Sequence, residues 1–375
     1  MAHDRHEIVP YQQKMRLFIR ISCIQKLDIF NDSTMSVSPN AAAWLTSTEA
    51  RPLCISPAPL SPPSSHELLI KNAALAINPI DWHHQHQPPF PLQYPAILGH
   101  DIAGVVVAVG SSVVGFQPGD RVLAHAMGMA TQRTVDGGFQ LYTIVPDNMT
   151  AHIPHKLTFE QAATIPLALS TAAAGLFQPD YLALEYPKLQ RTPQGSTLLV
   201  LGGASNVGLN AIQLANAAGY EVITTASPKN FSLAQSVGAE QVFDYQSPSI
   251  VEDLVAALQG KKFVGAFDTI HTDGALQNCV AVVERLCDRK FVSTVWPVSP
   301  EFTENVTAKF VFATTVQNND VGKAVYNCFL PQALEAGKFV AASKPRIVGK
   351  GLEAIQTGID EWKKGISAEK IVAIL

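Results

Sequence analysis

A glycine-rich turn between an apolar strand and a helix constrains the fold of this 375-residue chain more than any other feature. The apolar run Ser196 to Leu201 leads directly into the turn Gly202 to Gly208, and a helical pattern continues from Val207 to Ala218. Glycines in such a turn let backbone N–H groups approach a pyrophosphate, and the helix dipole favours the anion. Ser205 stands where a strict G-x-G-x-x-G motif has its middle glycine, so the turn alone also fits a tight connection in another α/β protein.

The second half of the chain alternates between predicted strands and helices, a pattern typical of a parallel sheet covered on both faces. An alanine-rich helical stretch from about Leu157 through Pro166 and Thr171 to Phe177 introduces this half. Strands are then predicted at Thr197 to Leu201, Glu221 to Thr225, Gln241 to Tyr245, Val264 to Ile270, Lys290 to Val295 and Phe310 to Thr314. Helices are predicted between most of them, at Val207 to Ala218, Ile250 to Leu258 and Leu276 to Leu286.

The pattern of the first half predicts a β domain, because from Ala41 to about Ile165 short β-rich runs are interrupted by proline and glycine. The segment Arg51 to Ser65 contains five prolines, which restrict it to an extended connection or an edge strand. The tail predicts a helix at Leu352 to Lys364 and a strand at Ile371 to Leu375, and we expect it to fold back on the first domain. The length exceeds the roughly 150 residues usual for one domain, which favours two domains that share a cleft.

Composition excludes several classes of protein. A net charge of -4 gives no electrostatic basis for binding nucleic acid or an anionic membrane, and no apolar stretch is long enough to predict a membrane span. The five cysteines show no C-x-x-C pair, which indicates reduced thiols in a cytoplasmic protein. Residues 1–34 are basic and patternless and precede a second methionine, Met35, so we interpret them as a flexible extension or an unused upstream start rather than a targeting sequence.

The residues after the second strand of the alternating half predict which dinucleotide binds. A site for NAD places Asp or Glu there, about 20 residues beyond the turn, to hold the ribose 2′-hydroxyl. In this chain the position falls on Ser227, followed by Lys229 and Asn230. A hydroxyl and an ammonium favour a 2′-phosphate that a carboxylate would repel. The sequence therefore predicts NADPH.

Several stretches together resemble the medium-chain dehydrogenase/reductase superfamily. They are Leu98 to Gly104, Gly115 to Val122, and the glycine turn with its flanks. Ala76 to Trp82, Asp136 to Tyr142 and Ser227 to Asn230 also have counterparts in the zinc-free quinone-oxidoreductase-like and fungal trans-acting enoyl reductase branches. The resemblance covers about Met35 to Leu375, which is nearly the whole chain.

The resemblance implies an α/β fold with two domains and a small-molecule substrate in the cleft between them. A GroES-like β-barrel catalytic domain, residues 35–165 completed by 340–375, would join a Rossmann domain with a doubly wound parallel sheet, residues 166–339. The residues implied to face the nicotinamide half of NADPH are Ile80, Asp81, Trp82, His83 and Thr171. Those implied to hold the phosphates are Gly202, Gly203, Ala204, Ser205, Asn206, Val207, Gly208, Ser227, Lys229, Asn230 and Tyr245, and Lys370 and Ile371 are implied to close over the cofactor.

The pattern predicts no metal. Zinc-dependent members use a Cys, His, Cys set, whereas this chain has Asn78, His100 and Leu167 at those positions, and one ligand cannot hold the ion. The four-cysteine lobe that holds structural zinc is also missing, since Val122 to Asp136 contains no cysteine. We interpret His100 as a packed or hydrogen-bonded histidine and the cluster His83, His84 and His86 as an exposed loop.

Without a Lewis acid, the easiest reaction is hydride transfer from NADPH to an electron-poor carbon, such as the β-carbon of an enoyl or enal group, or to a quinone. Tyr142, Trp82 and His83 are candidate catalytic residues, and solvent is an alternative proton source. Metal-free carbonyl reduction or alcohol oxidation remains open, as does a non-enzymatic NADPH-binding, crystallin-like or regulatory role. The resemblance implies a monomer or homodimer and, in the enoyl reductase branch, a polyketide synthase as partner.

Overall fold

The computed structural model describes residues 38–270, 273–298 and 305–375, and the predicted extension, residues 1–34, lies outside the described residues. Proline- and glycine-interrupted strands form the first lobe, called here the catalytic lobe. A three-stranded sheet has the order β2-β1-β4 and a seven-stranded sheet the order β15-β16-β3-β5-β6-β8, with β7 paired to β3. These strands are β1 (Ala41–Leu45), β2 (Cys54–Pro57), β3 (Glu67–Ala76), β4 (Ala96–Ile97), β5 (Asp101–Val109), β6 (Arg121–His125), β7 (Tyr142–Pro146), β8 (Thr150–His152), β15 (Lys344–Lys350) and β16 (Glu369–Ile374).

Short helices connect the strands of the catalytic lobe. Its α-helices are α1 (Pro79–His86), α2 (Gly128–Thr131) and α3 (Phe159–Ala162), with 3-10 turns at Thr134–Asp136 and Asp147–Met149. The proline-rich segment supplies the edge strand β2, as predicted. The tail also folds back as predicted, because β16 pairs antiparallel with β3, and α11 (Ala354–Lys363) buries Ile355 and Ile359 in the core of this lobe.

The second lobe is a Rossmann domain, which confirms the predicted fold class. Its six strands are all parallel, in the order β11-β10-β9-β12-β13-β14. The order reverses at β9, whose five residues are all buried, and ligands bind such sheets at the carboxyl ends of the strands beside this reversal. The strands are β9 (Thr197–Leu201), β10 (Glu221–Ala226), β11 (Gln241–Asp244), β12 (Phe263–Asp268), β13 (Phe291–Thr294) and β14 (Thr307–Phe310).

Helices cover the six-stranded sheet. They are α4 (Pro166–Phe177), α5 (Asn206–Ala217), α6 (Phe231–Ser236), α7 (Ile250–Leu258), α8 (Asp273–Leu286), α9 (Asp320–Gly322) and α10 (Leu330–Glu335), with a π-helical segment Lys323–Phe329 and 3-10 turns at Pro228–Asn230 and Ala313–Asn318. Among the described residues, no helix has the length and apolar character needed to cross a membrane.

Two predicted elements differ from the structure, and one strand was missed. The expected strand Phe310 to Thr314 is shifted, because β14 ends at Phe310 and Ala313–Asn318 is a 3-10 turn. The predicted helical stretch from about Leu157 to Phe177 is divided into two helices, since Pro166 begins α4 and has no N–H to continue α3. The strand β15 was not predicted, because its sequence Lys344–Lys350 alternates poorly and contains Pro345 and Gly349.

Candidate dinucleotide and substrate site

The glycine turn lies at the carboxyl end of β9, where close approach of two backbone segments requires glycine. Gly202 has a φ of +83°, a left-handed conformation that L side chains rarely adopt. A Cβ on Gly208 would lie 2.2 Å from the carbonyl oxygen of Gly202, and one on Gly203 would lie 2.2 Å from Thr224 Oγ1. The turn is therefore held so close to α5 and β10 that only glycine fits.

Ser205, which departs from the strict motif, has a structural role as the N-cap of α5. Its Oγ accepts a hydrogen bond from Gly208 N at 2.9 Å and lies 2.9 Å from Thr269 Oγ1. The Thr269 hydroxyl also donates to the carbonyl of Leu201 at 2.7 Å, which ties the turn to the end of β12. The first N–H groups of a helix have no intrahelical acceptor, so the N–H groups of Asn206 and Val207 are suited to an anion.

The side chain of Asn206 joins the turn to two other segments. Its Nδ2 donates to the Thr164 carbonyl at 2.8 Å, and its Oδ1 accepts from Ser343 Oγ at 2.7 Å. Ser343 precedes β15 in the tail, and no motif in the sequence indicates this contact. The Asn206 amide is therefore committed to holding the lobes together, and its contribution to an anion site is limited to its backbone.

The residues predicted to select the 2′-phosphate lie together after β10. Asn230 Nδ2 donates to Ser227 Oγ at 3.1 Å, Lys229 is exposed, and Tyr245, just past β11, is 50% exposed. Asn230 Nδ2 also approaches Ser367 Oγ at 3.4 Å. Ser367 was missed by sequence reasoning, because its loop before β16 is 137 residues away from Asn230. The cluster offers an ammonium and hydroxyls.

The residues predicted to face the nicotinamide begin α1. Asn78 is the N-cap, Pro79 opens the helix, and the side chain of Asp81 accepts from Asn78 N at 2.7 Å. Ile80 and Trp82 are half-buried, and the ring of His83 lies 4.9 Å from that of Trp296, a Rossmann-lobe residue that sequence reasoning missed. Burial raises the pKa of Asp81 to about 7. Asp81 itself is fully buried, so its side chain supports the helix start rather than the cleft.

The histidine cluster is helical, so the prediction of an exposed loop was wrong. His83, His84 and His86 all belong to α1, and His84 is only 1% exposed. A Gln85 side chain anchored to the Ala50 carbonyl and to Gln356 holds the helix against the tail. The prolines that suggested a loop follow the helix instead of interrupting it.

Thr171 lies in the middle of α4. It is 8% exposed, and its hydroxyl donates to the Leu167 carbonyl at 2.7 Å. Because a hydroxyl has two lone pairs, Thr171 can still accept a hydrogen bond from a ligand amide.

A buried polar network includes Asn78 and the backbone of Leu167, two of the three positions compared above with the zinc ligands of zinc-dependent members. Asp101 Oδ2 accepts from Asn78 Nδ2 at 2.9 Å, and Asp101 Oδ1 accepts from Leu167 N at 2.5 Å. The ammonium of Lys370 lies 2.9 Å from Asp101 Oδ2 and also donates to Asn78 Oδ1. The network thus joins the start of α1, β5, α4 and β16 through one carboxylate.

This network changes the interpretation of the last strand. Lys370 is 3% exposed and its ammonium is satisfied by Asp101 and Asn78, while Ile371 is fully buried in the core of the catalytic lobe. Both side chains are therefore enclosed within the protein, and closure of this strand over the cofactor stays a prediction. The tail also reaches the dinucleotide region through Ser343 and Ser367.

Three buried histidines lie in a row beside the network. The ring of His100 is 6.4 Å from that of His84 and 5.7 Å from that of His125, whose Nδ1 lies 2.9 Å from Ser170 Oγ. Burial lowers the pKa of His84 to about 4 and that of His125 to about 3, and it also lowers the pKa of His100. All three are therefore neutral at pH 7. Over residues 38–270, 273–298 and 305–375, no group of three or more His, Cys, Asp or Glu side chains is arranged to hold a metal ion.

Tyr142 does not join the other two candidate catalytic residues. It is 3% exposed and packs in a small cluster with Leu69 and Ile144, whereas Trp82 contacts the main core of the catalytic lobe. Of the three candidates, Trp82 and His83 lie together on α1, with ring centroids 5.0 Å apart.

A GroES-like lobe joined to a Rossmann lobe, with a glycine turn at the sheet reversal, defines the class of two-domain dinucleotide-dependent oxidoreductases. Residues 64–155 match the family profile described as alcohol dehydrogenase GroES-like domain, and residues 206–290 match the one described as zinc-binding dehydrogenase. The chain is 48% identical over 336 residues to the zinc-binding alcohol dehydrogenase domain-containing protein cipB of Emericella nidulans, with 90% of this chain and 98% of the relative covered. The chain belongs to the medium-chain dehydrogenase/reductase superfamily.

Two further comparisons bear on the branch and the fold. The chain is 42% identical over 335 residues to the trans-enoyl reductase himH of Aspergillus japonicus, with 89% of this chain and 96% of the relative covered. A mycobacterial protein solved with NADPH, Rv1454c, superposes with a TM-score of 0.65 at 23% identity and covers 90% of this chain and all of its own length. The zinc implied by the second family profile does not fit this chain, because Asn78 and Leu167 are tied to Asp101 and supply no ligand set.

Proposed function

We propose that this protein is an NADPH-dependent oxidoreductase that delivers hydride to the β-carbon of an activated C=C bond, or to a quinone, without zinc. The single observation that carries the proposal is the Asn78–Asp101–Lys370 network, because the side chain at one compared zinc-ligand position is already bound to a carboxylate and an ammonium. A site with no Lewis acid favours acceptors that are already electron-poor. The name of the relative himH, a trans-enoyl reductase, supports the same chemistry.

The cofactor site fits a dinucleotide with a 2′-phosphate. Close packing that leaves no room for a Cβ at Gly203 and Gly208 holds the turn tightly against α5 and β10. The backbone N–H groups of the turn would hold the pyrophosphate. Ser227 and Lys229 provide a hydroxyl and a cation for the 2′-phosphate, with Asn230 and Tyr245 beside them. NADPH supplies the hydride when it is bound.

The residues of the cleft orient the reacting groups. Thr171 can accept from the carboxamide of the nicotinamide, because its own proton is already given to the Leu167 carbonyl. Trp82 and His83 lie on α1, and this helix is fixed by its capping box and by Gln85. Because these residues are held rigidly, they can align the hydride donor with the acceptor carbon of the substrate.

His83 is the proton donor we favour. Hydride transfer to the β-carbon places negative charge on the substrate oxygen, and the resulting enolate must be stabilised and then protonated at the α-carbon. The imidazole of His83 is half-buried, and burial together with His86 lowers its pKa, so the ring is neutral at pH 7. Its N–H can pass a proton to the α-carbon while the other ring nitrogen takes a proton from solvent, which leaves the imidazole neutral. Tyr142 is enclosed in its own cluster and is the weaker candidate.

The same proposal extends to partner and pathway. A trans-acting enoyl reductase acts on an intermediate carried by a separate synthase, and we propose a polyketide synthase as the partner of this enzyme, on the strength of its likeness to himH.

The test is NADPH consumption with 2-alkenals and quinones, compared with simple ketones and, for NADP+, simple alcohols. We expect turnover of the activated acceptors and none of the ketones or alcohols, and no loss of activity after dialysis against a chelator. Turnover confined to ketones would refute the proposal and support a carbonyl reductase. NADPH binding without turnover of any acceptor would support a non-enzymatic role.

A His83→Phe variant tests the donor separately. We expect kcat for an enal to fall by about 10²- to 10⁴-fold, the usual contribution of general acid catalysis, with the KM for NADPH unchanged. His86→Phe, one helical turn away and stacked on Trp82 at 4.4 Å, is the matched control and should keep its kcat.

A further inference from the structure

The carboxyl edge of the six-stranded sheet aligns four positions in one row. Leu201 pairs with Asp268, Asp268 with Thr294, and Thr294 with Phe310, so the last residues of β9, β12, β13 and β14 lie side by side. The glycine turn follows the first of these strands. The segments that follow β13 and β14 therefore lie at the same carboxyl edge of the sheet, beside the dinucleotide site.

Aromatic rings follow those last two strands. Trp296 comes two residues after β13, Phe310 is the final residue of β14, and Phe312 lies just beyond it. The rings of Phe310 and Phe312 meet edge to face, with centroids 5.9 Å apart. The Rossmann lobe therefore presents three rings at the side of the cleft that is farthest along the sheet from β11.

The catalytic lobe presents rings of its own to the same place. Phe90 lies 5.1 Å from Phe312 and 6.2 Å from Phe310, and His83 lies 4.9 Å from Trp296. Every one of these contacts crosses from one lobe to the other. We call the five side chains His83, Phe90, Trp296, Phe310 and Phe312 the aromatic cleft.

The rings of the aromatic cleft are incompletely buried, unlike the aromatic residues of the core. Phe139, Phe267 and Phe339 are at most 1% exposed, whereas all five members of the cleft are of intermediate exposure. Partly exposed rings on both sides of a cleft favour a flat apolar ligand, because ring faces and edges attract another π-system in stacked or edge-to-face geometry. A bulky aliphatic group of the same size cannot make these contacts.

We propose that the aromatic cleft binds the substrate chain and selects acceptors whose C=C bond is conjugated with a flat aryl or polyene group over aliphatic acceptors. This inference rests on the proposed function and deepens it, since it names the substrate class. His83 links the two, because it contacts Trp296 in the cleft and lies on the helix implied to face the nicotinamide. The conjugated chain lies along the exposed sides of Phe90 and Phe312, whose rings contact each other, and its reacting end lies at His83.

The test compares two enals of equal length and similar size, one with a phenyl and one with a cyclohexyl group on the β-carbon. The quantity of interest is how each variant changes the ratio of their KM values, because intrinsic reactivity cancels in that comparison. For Phe312→Leu and Phe90→Leu, we expect the KM of the phenyl enal to rise about tenfold and that of the cyclohexyl enal to change less than twofold. The KM for NADPH should stay unchanged.

The control is Phe116→Leu, since Phe116 is also of intermediate exposure and stacked on a histidine, His152, at 4.5 Å, but lies outside the cleft. Equal changes for the two enals, or changes no larger than those of Phe116→Leu, would overturn the proposal. Two leucine variants are used so that poor folding of one does not remove the test.

Failure of the proposed function is recognised separately, as wild-type protein that binds NADPH but reduces neither enal. In that case the two enals are titrated against the NADPH complex by tryptophan fluorescence. A phenyl-over-cyclohexyl preference that Phe312→Leu abolishes would still support the cleft, and equal affinities would refute it.

Discussion

Replacing Lys370 by methionine should destabilise the protein more than any other single lysine change on the described part of the chain. The ammonium lies 2.9 Å from Asp101 Oδ2, and the two side chains are 4% and 0% exposed. Methionine is about as long as the lysine stem, so the change removes the charge with little loss of volume. What remains is a carboxylate with no access to water and no cation.

Breaking a buried pair in this way costs about 3–5 kcal/mol, because the desolvation of the remaining charge is no longer offset. Two hydrogen bonds to Asp101 persist, from Asn78 Nδ2 and Leu167 N, and they keep the cost from rising further. At about 1.4 kcal/mol for each factor of ten, the unfolding equilibrium constant should increase by about 10²- to 10³-fold or more.

The assay is urea unfolding at pH 7 followed by circular dichroism and tryptophan fluorescence. Lys261→Met is the control, since Lys261 makes an equally direct contact with Glu221, at 2.6 Å, but both side chains are about 30% exposed. That variant should lose less than about 1 kcal/mol. In the double variant Lys370→Met with Asp101→Asn no charge remains unpaired, so its loss should be smaller than the sum of the two single losses by at least about 1 kcal/mol. A Lys370→Met variant within 1 kcal/mol of the wild type, or strict additivity in the double variant, would refute the reasoning.

Three further predictions concern the cofactor and the buried histidines. Lys229→Ala should raise the KM for NADPH about tenfold and leave that for NADH unchanged, as measured by steady-state kinetics with both cofactors, and equal effects would contradict a 2′-phosphate contact. Gly208→Ala should abolish NADPH binding in a fluorescence titration, since its Cβ would lie 2.2 Å from the Gly202 carbonyl oxygen, whereas Gly274→Ala, with nothing within 4 Å, should bind normally. In the folded state burial lowers the pKa of His125 to about 3, whereas in the unfolded state its pKa is near 6.5. The unfolded state therefore binds one more proton between these pH values, so the free energy of unfolding should fall as the pH drops from 6.5 towards 3. His125→Asn should reduce that slope in urea unfolding at several pH values, and an unchanged slope would show that other groups cause it.

Elements that repeat a local pattern could be predicted from the sequence. The central strand Thr197–Leu201 and the helix Ile250–Leu258 have the predicted bounds, because continuous apolar runs and 3.6-residue periodicity are local signals. The short strand β15 and the helix that contains the three histidines were missed or wrongly described, since their conformation depends on partners far away in the chain. Helix α1 is held by Gln85 contacts to Ala50 and to Gln356, 271 residues away.

The same limit applied to the candidate site. The glycine turn could be recognised because strand, turn and helix are adjacent in sequence. Ser343 and Ser367 carry no motif and reach Asn206 and Asn230 only across 137 residues of chain. The burial of Lys370 could not be predicted either. The carboxylate that neutralises it, Asp101, lies 269 positions earlier in the chain (370 minus 101).

The pairing of β16 with β3 has a consequence for how the protein emerges from the ribosome. Asn78 meets Lys370 across 292 residues, so the first lobe to be synthesised cannot complete its sheet until nearly the whole chain has been made. The strands of the Rossmann lobe, in contrast, all lie between residues 197 and 310 and can assemble as soon as that stretch has emerged. During translation the Rossmann lobe should therefore fold first. Until β16 is synthesised, the catalytic lobe has an unpaired sheet edge at β3, and Asp101 lacks its Lys370 partner.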